Sequence, residues 1–289
     1  MSDWHGGRLS SSQAAWVQAR VPGATLVRDM SWELMASTVL HVHGAESDVV
    51  VKAGDAANHH LDREIAAHDG WTSPLVQTGH AARLIDADVA ARVMVLEYLP
   101  GVLVQGTPAE GHPSTYAQAG ALLRRLHAQS SRSDADHEAR VNARALRWLD
   151  GEHRVDADVA ARARSILSTD PAPAVDLVPT HGDWQPRNWL IDADVVRVID
   201  FGRFAFRPAA TDVVRLAAGQ WRSRPDLEAA FFSGHGSVTG YGADPRDPER
   251  WRMDALREAV GTACWAFTIG DEAFEAQGHR MLTEALGAF

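Results

Sequence analysis

Asp183, Asn188 and Asp200 are three oxygen-bearing side chains within HGDWQPRNWLIDADVVRVIDFG, a stretch that otherwise reads as strand. Two carboxylates and an amide oxygen are hard donors of the kind Mg²⁺ accepts alongside phosphate oxygens and water. A carboxylate in such company can also orient a hydroxyl group or take its proton. His181 and Arg187 lie in the same loop. Composition singles out one more residue. Lys52 is the only lysine in a chain whose other basic positions are arginine, and a lysine kept there suits a site that needs a compact ammonium rather than a planar guanidinium.

The elements that must position these residues divide the chain in two. Alternating β-branched runs predict strands at ATLVRDM (24–30), STVLHVH (37–43) and DVVVKAG (48–54), then at ARLIDAD and ARVMVLEYL within 82–99. Between them, ANHHLDREIAAHDGW carries Leu61, Ile65 and Trp71 on one helical face, with Asp55 or Asn58 to begin the helix. That makes a five-stranded sheet with one helix. Pro100-Gly101, straight after a strand, marks a lobe boundary, so the expected units are residues 1–98 and 99–289. The second unit reads as helical, starting with TYAQAGALLRRLHAQ (115–129), apart from one strand pair near 186–200. QSSRSDAD (129–136) reads as a loop, and PERWRMDALREAVGTACWAFTIGDEAFEAQGHRML (248–282) as one long helical stretch. A hairpin turning at Ala193-Asp194 brings Asn188 and Asp200 to the same end.

The set H-G-D-x-x-x-x-N, short hairpin, I-D-F-G resembles the catalytic and metal loops of the aminoglycoside phosphotransferase family, small-molecule relatives of the protein kinases. The resemblance implies an α+β, bilobal, protein-kinase-like fold: a small antiparallel nucleotide-binding lobe and a larger helical catalytic lobe. It implies ATP or GTP as phosphate donor, Mg²⁺ as cofactor, and a hydroxyl-bearing small molecule as acceptor. Asp183 becomes the base or orienter of that hydroxyl, and Asn188 and Asp200 the Mg²⁺ ligands. Lys52 with Glu64 would hold the nucleotide phosphates, although Asp62 competes with Glu64 for that place. The backbone of Glu97 to Leu99 would meet the purine, and Asp212 would brace the catalytic loop.

The departures are specific. MSWELMAS (30–37) stands where a kinase has its glycine-rich loop and contains no glycine, which leaves Ser31 and Ser37 as phosphate contacts. The glycine cluster SGHGSVTGYGAD (233–244) fits neither a Walker loop nor a nucleophile elbow and reads as a mobile loop near the cleft. His41, His43, His59 and His60 lack a tetrahedral ligand set and read as surface residues. For the acceptor, Asp271, Glu272 and Glu275 are acidic groups that either meet an amino sugar or form a solvated face.

A formal net charge of −10 argues against nucleic acid as partner. The absence of a long apolar run or a basic leader argues against a membrane and for a cytoplasmic location, and one cysteine allows no internal disulfide. Three readings stand: inactivation of a hydroxyl-bearing antibiotic, kinase action on a sugar, amino alcohol or nucleoside, and a dead nucleotide-binding module. The last predicts loss of at least one of Lys52, Asp183, Asn188 or Asp200, and all four are present.

Overall fold

The computed structural model describes residues 4–32, 37–55, 58–236 and 244–289. The first half opens with helix α1 (Ser11–Arg20), which the sequence reading did not anticipate. Its start is a capping box: Ser10 accepts from the backbone of Gln13, whose side chain reaches back to the backbone of Ser10. Then follow β1 (Thr25–Asp29), β2 (Ser37–His43), β3 (Asp48–Gly54), α2 (His59–Gly70), α3 (Ser73–Val76), β4 (Leu84–Asp88) and β5 (Val93–Glu97). The five strands form one antiparallel sheet in the order β1-β2-β3-β5-β4.

Period-two alternation on β3 decides which residue does what. Val49, Val51 and Ala53 face a core shared with Val17 of α1, Leu40, Val42, Val93 and Val95. Val50 and Lys52 point to the other side, where Leu61 and Ile65 of α2 pack on Met94 and Leu96. Asn58 caps α2 by accepting from the backbone N–H groups of His60 and Leu61, which settles the choice between Asp55 and Asn58.

The second half contains β6 (Val102–Leu103), α4 (Pro113–His127), β7 (Arg132–Asp134), α5 (His137–Asp150), α6 (Ala157–Thr169), β8 (Val175–Thr180), β9 (Trp189–Asp192), β10 (Val195–Val198) and β11 (Ala205–Arg207). Helices α7 (Val214–Ala218), α8 (Pro225–Gly236), α9 (Pro248–Ile269) and α10 (Glu272–Leu286) complete it. The expected hairpin is β9-β10, turning at Ala193 and Asp194 with φ of 45° and 65°, the left-handed pair that a tight two-residue hairpin turn requires. Two expectations change here. The helical half carries two three-stranded sheets, β10-β9-β6 and β11-β8-β7, so part of the expected loop 129–136 is strand. The stretch 248–282 is two helices, because Gly270 adopts φ 73° and ends α9 in a left-handed cap.

Helices α4 and α8 touch backbone to backbone. A β-carbon on Gly120 would lie 2.0 Å from the carbonyl oxygen of Phe231, and one on Gly234 would lie 1.9 Å from that of Ala117. Residues 233–236, expected as the start of a mobile loop, are therefore the end of a tightly packed helix; 237–243 lie outside the described residues. The core beneath the HGD loop gathers Tyr116, Leu123, Leu126, Trp184, Trp189 and Phe201. No helix among the described residues is long and apolar enough to cross a membrane.

Candidate active site

Lys52 Nζ lies 2.7 and 2.8 Å from the two carboxylate oxygens of Glu64 and 3.8 Å from Oδ1 of Asp200. Strand β3 supplies the lysine and α2 the glutamate, one turn beyond the cap. Asp62, the competing carboxylate, turns away to Arg92 at 3.0 Å. Burial works against the ammonium, yet the carboxylates of Glu64 and Asp200 outweigh it and raise the lysine pKa. Glu64 also accepts from the backbone N–H of Phe201 at 3.3 Å, which ties α2 to the IDFG turn. Phe201 packs against His181 and His68. Burial, aided by the nearby Lys52 charge, drives the His68 pKa down to about 3, so that ring is a neutral packing group.

Asp200 sits at φ 64°, a left-handed conformation that is rare for a residue with a β-carbon and that clusters at functional sites. Its side chain is 54% exposed. Burial of its surroundings raises its pKa, but the Lys52 charge prevails and the net shift is downward, toward the carboxylate.

The HGD loop is fastened from below by Trp184 and Trp189, both fully buried, each contributing roughly 4–6 kcal/mol of apolar transfer free energy. His181 accepts the Asp183 N–H at Nδ1 (3.2 Å) and so carries its proton on Nε2, which donates to the carbonyl of Ile199 at 3.0 Å. Asn188 donates both to the carbonyl oxygen of Asp183 at 2.8 Å and to its Oδ2 at 3.0 Å. That fixes the amide so that its Oδ1 is the atom left for a cation. Asp183 itself is crowded with donors: Gln185 at 2.6 Å, Arg187 at 2.8 and 3.0 Å, and Arg215 at 2.6 Å. Burial alone would raise its pKa, yet Arg215, Arg187 and Arg203 together hold the carboxyl far below the usual range. Arg215 bridges onward to Glu258 of α9 at 2.5 Å.

Asp212 holds the loop from behind. Its carboxylate accepts from the backbone N–H groups of His181 (3.0 Å) and Gly182 (2.6 Å) and from His127 Nε2 (2.9 Å). Gly182, at φ 83°, stands where protein kinases have an arginine, and a β-carbon there would lie 2.3 Å from the Arg203 carbonyl oxygen and 2.5 Å from the Arg207 guanidinium. Arg207 occupies that space, donating to Thr180 Oγ1 at 2.9 Å and to the carbonyl of Arg203 at 2.8 Å.

Other residues named from the sequence have different employment. Ser37 Oγ accepts from Asn58 at 2.7 Å, and Ser31 Oγ accepts from Val39 N–H at 3.0 Å, so both hydroxyls secure the ends of the loop whose residues 33–36 lie outside the described set. The Glu97 carboxylate pairs with Arg83, and Leu99 packs its side chain on the Leu61 and Met94 cluster. Among the described residues no hydrogen bond or ion pair joins the acidic trio to the HGD loop. Asp271 caps α10, Glu272 is exposed in its first turn, and Glu275 is buried beside Arg154 at 3.3 Å. Capping and pairing inside the helical lobe account for Asp271 and Glu275 without an acceptor. His41 and His43 pair with Asp48 at 2.7 and 2.6 Å, and His60 meets the carbonyl of Gly202 at 2.9 Å rather than standing free at the surface. Sequence reasoning missed Gln185, Arg203, Arg215, Glu258 and His127. Arg203 directly follows IDFG and Arg215 follows Asp212 by three, so both carried a positional signal; His127 is separated from Asp212 by 85 residues and carried none.

Comparison with known proteins places the fold. A choline kinase, LicA from Streptococcus pneumoniae, superposes with a TM-score of 0.67 at 12% identity, covering 96% of this chain and 100% of that one. A thermostable mutant of the aminoglycoside phosphotransferase APH(4)-Ia, in a ternary complex with ADP and hygromycin B, gives 0.67 at 14% identity over 96% and 99% of the two chains. The macrolide 2'-phosphotransferase MphH from Brachybacterium faecium gives 0.59 at 17% over 94% and 98%. No curated protein matches the sequence. The family model described as the phosphotransferase enzyme family matches residues 19–267. The chain belongs to that family, and with its protein-kinase-like fold it is a small-molecule phosphotransferase.

Proposed function

We propose that the protein moves the γ-phosphate of a Mg²⁺-bound nucleoside triphosphate, ATP or GTP, to a hydroxyl of a small molecule, with residues 1–98 gripping the nucleotide and 99–289 the acceptor. One observation carries this reading: Lys52, Glu64 and Asp200, from three separate elements, meet within hydrogen-bonding or ion-pairing reach at the loop that bears Asp183 and Asn188. Lys52 is placed to hold nucleotide phosphates, with Glu64 keeping it aimed. The donor set fits Mg²⁺: a half-exposed Asp200 carboxylate and the Asn188 amide oxygen, with phosphate and water to complete six oxygens. When bound, the ion supplies positive charge against the phosphate oxygens. Asp183 orients the hydroxyl and takes its proton late, because phosphoryl transfer asks mainly for positioning. Backbone groups of Glu97 and Leu99 meet the purine edge, and Ser37 borders the phosphates through the loop it anchors.

Hydroxyl-bearing antibiotics are the first acceptors to try, as resistance or self-resistance, and metabolites such as sugars, amino alcohols and nucleosides the second. The test is mass-spectrometric detection of phosphorylated product from a panel of both classes with Mg²⁺ and ATP or GTP, using Asp183→Asn as control. Phosphate on one acceptor, absent in the control, establishes the reaction. Failure to bind either nucleotide overturns it.

A further inference from the structure

Four side chains donate to the Asp183 carboxylate, and they differ in how firmly each is held. Arg187 spans both oxygens, at 3.0 Å from Oδ1 and 2.8 Å from Oδ2. Arg215 reaches Oδ1 at 2.6 Å and is gripped from the far side by Glu258 at 2.5 Å. Asn188 reaches Oδ2 at 3.0 Å while donating also to the Asp183 carbonyl at 2.8 Å. Gln185 makes a single bond, from Nε2 to Oδ1 at 2.6 Å. Its side chain is uncharged, partly exposed, and has no other hydrogen bond among the described residues. Its backbone, by contrast, is fixed: the Gln185 carbonyl accepts from the Asn188 N–H at 2.8 Å, and Pro186 follows. Only the side chain is free to swing. Gln185 leaves at the cost of one hydrogen bond, whereas Arg187 would break an ion pair, and Arg215 and Asn188 would each break away from a second partner.

The position that Gln185 fills is the one an acceptor needs. A carboxylate offers about four lone-pair positions, and the contacts from these four side chains take them all. An acceptor hydroxyl must donate its O–H to Asp183, as the Gln185 amide now donates to Oδ1. A water molecule that Asp183 activates must do the same.

Resting on the phosphotransferase reading, we propose that Gln185 is a positioning residue that plugs Asp183 until an acceptor arrives: its amide holds the hydroxyl's place on Oδ1, keeps water out of it, and yields it to the acceptor. A bound acceptor presents its hydroxyl at a fixed point and so displaces the amide with the advantage of a tethered group, which free water lacks. The plug thereby suppresses hydrolysis of the nucleotide without barring phosphoryl transfer.

The test is release of ADP from ATP with Mg²⁺ and no acceptor, compared between wild type and Gln185→Ala. Once the plug is gone, a water oxygen attacks the γ-phosphorus and the bond from that phosphorus to the β,γ-bridging oxygen breaks. ADP leaves with the electron pair, and the water's proton passes to Asp183 and on to the released phosphate. One hydrogen bond to a charged group shifts an equilibrium by about tenfold or more. Gln185→Ala should therefore hydrolyse ATP about tenfold faster than wild type, and Gln185→Asn, one methylene too short to reach Oδ1, should also gain. Arg222→Gln, at the exposed pair with Glu284, should match wild type. Combining Gln185→Ala with Asp183→Asn should abolish the gain. A merely structural role for Gln185 predicts slower turnover, not faster. AMP-PNP affinity within about twofold of wild type shows that the nucleotide site is intact; if Gln185→Ala fails that check, Gln185→Asn decides. Hydrolysis at or below the wild-type rate in a variant that binds AMP-PNP overturns the proposal, as does a gain that survives Asp183→Asn. Loss of AMP-PNP binding in both variants makes Gln185 a structural residue and overturns it too. A wild type that binds no AMP-PNP removes the phosphotransferase reading itself, and the plug with it.

Discussion

Replacing Asp212 by asparagine tests the claim that the HGD loop is held from behind. The carboxylate is 2% exposed and accepts three donors, two of them backbone N–H groups of the HGD loop. Asparagine keeps one oxygen, which can retain His127 and His181, but its NH₂ then faces the Gly182 N–H and leaves a buried donor unpaired, costing about 1–3 kcal/mol. The two retained bonds lose their charge assistance, worth about 0.5–1 kcal/mol each. The sum is about 3 kcal/mol, or a Tm lower by roughly 10 °C in a chain of this size. Burial raises the Asp212 pKa, but the hydrogen bonds it accepts from His127 and from the Gly182 backbone lower it, for a net depression. A depressed folded pKa stabilises above the unfolded value, near about 4, and the benefit disappears as pH falls through the folded value. The gap between wild type and variant is therefore constant from neutral pH down to about 5 and closes below about 4. Scanning calorimetry across pH measures it. Turnover, read as slow nucleotide hydrolysis to ADP, should drop by about 100-fold because Asp183 loses its register. A Tm within about 2 °C of wild type at pH 7, or a gap that widens in acid, refutes the brace.

Three further perturbations address other parts of the site. Lys52→Met removes a charge-assisted phosphate contact, so calorimetry should show ATP affinity falling about 10- to 100-fold, whereas Arg20→Gln, at a distant exposed pair, should leave it unchanged. Gly182→Ala combines a left-handed φ with a β-carbon 2.3 Å from a carbonyl oxygen, and should lower stability by at least about 3 kcal/mol in urea titration; a soluble variant of wild-type stability would show that the loop can shift. Asp254 is buried beside Glu138, and burial raises its pKa to about 6 despite Arg257 and Arg250. A raised carboxylic pKa means that the folded state binds more protons, so stability falls as pH rises from about 4 to 6. Asp254→Asn should therefore match or exceed the wild-type Tm at pH 8, and a lower Tm there would mean that the ionised pair with Arg257 is favourable.

How far the sequence could carry the reader depended on the range of the signal. The five strands and α2 were legible because alternation and capping are local: β2 and β3 fall on residues 37–43 and 48–54 as their patterns require. Composition singled out Lys52, but its pairing with Glu64 was legible only through the family resemblance, and the sequence left Asp62 as a competitor until the structure brought Glu64 to the lysine. Strands β6, β7 and β11 were not, because each has two or three residues and gains its hydrogen bonds from a partner far along the chain, such as Ala205 opposite Thr180. Helix α1 was missed although its capping box is visible in SSSQ; without a strong apolar stripe, the cap alone did not identify it. The acidic residues named for the acceptor show the same limit from the other side. Asp271, Glu272 and Glu275 were grouped by sign, but their surroundings decide their work, and Asp271 spends its carboxylate on a helix end while Glu275 meets Arg154. The charges that do surround Asp183 come from positions 187, 203 and 215 and are positive. A net charge of −10 therefore says little about the acceptor, because the local field at the reacting oxygen is set by three arginines that the fold assembles from two loops and a helix.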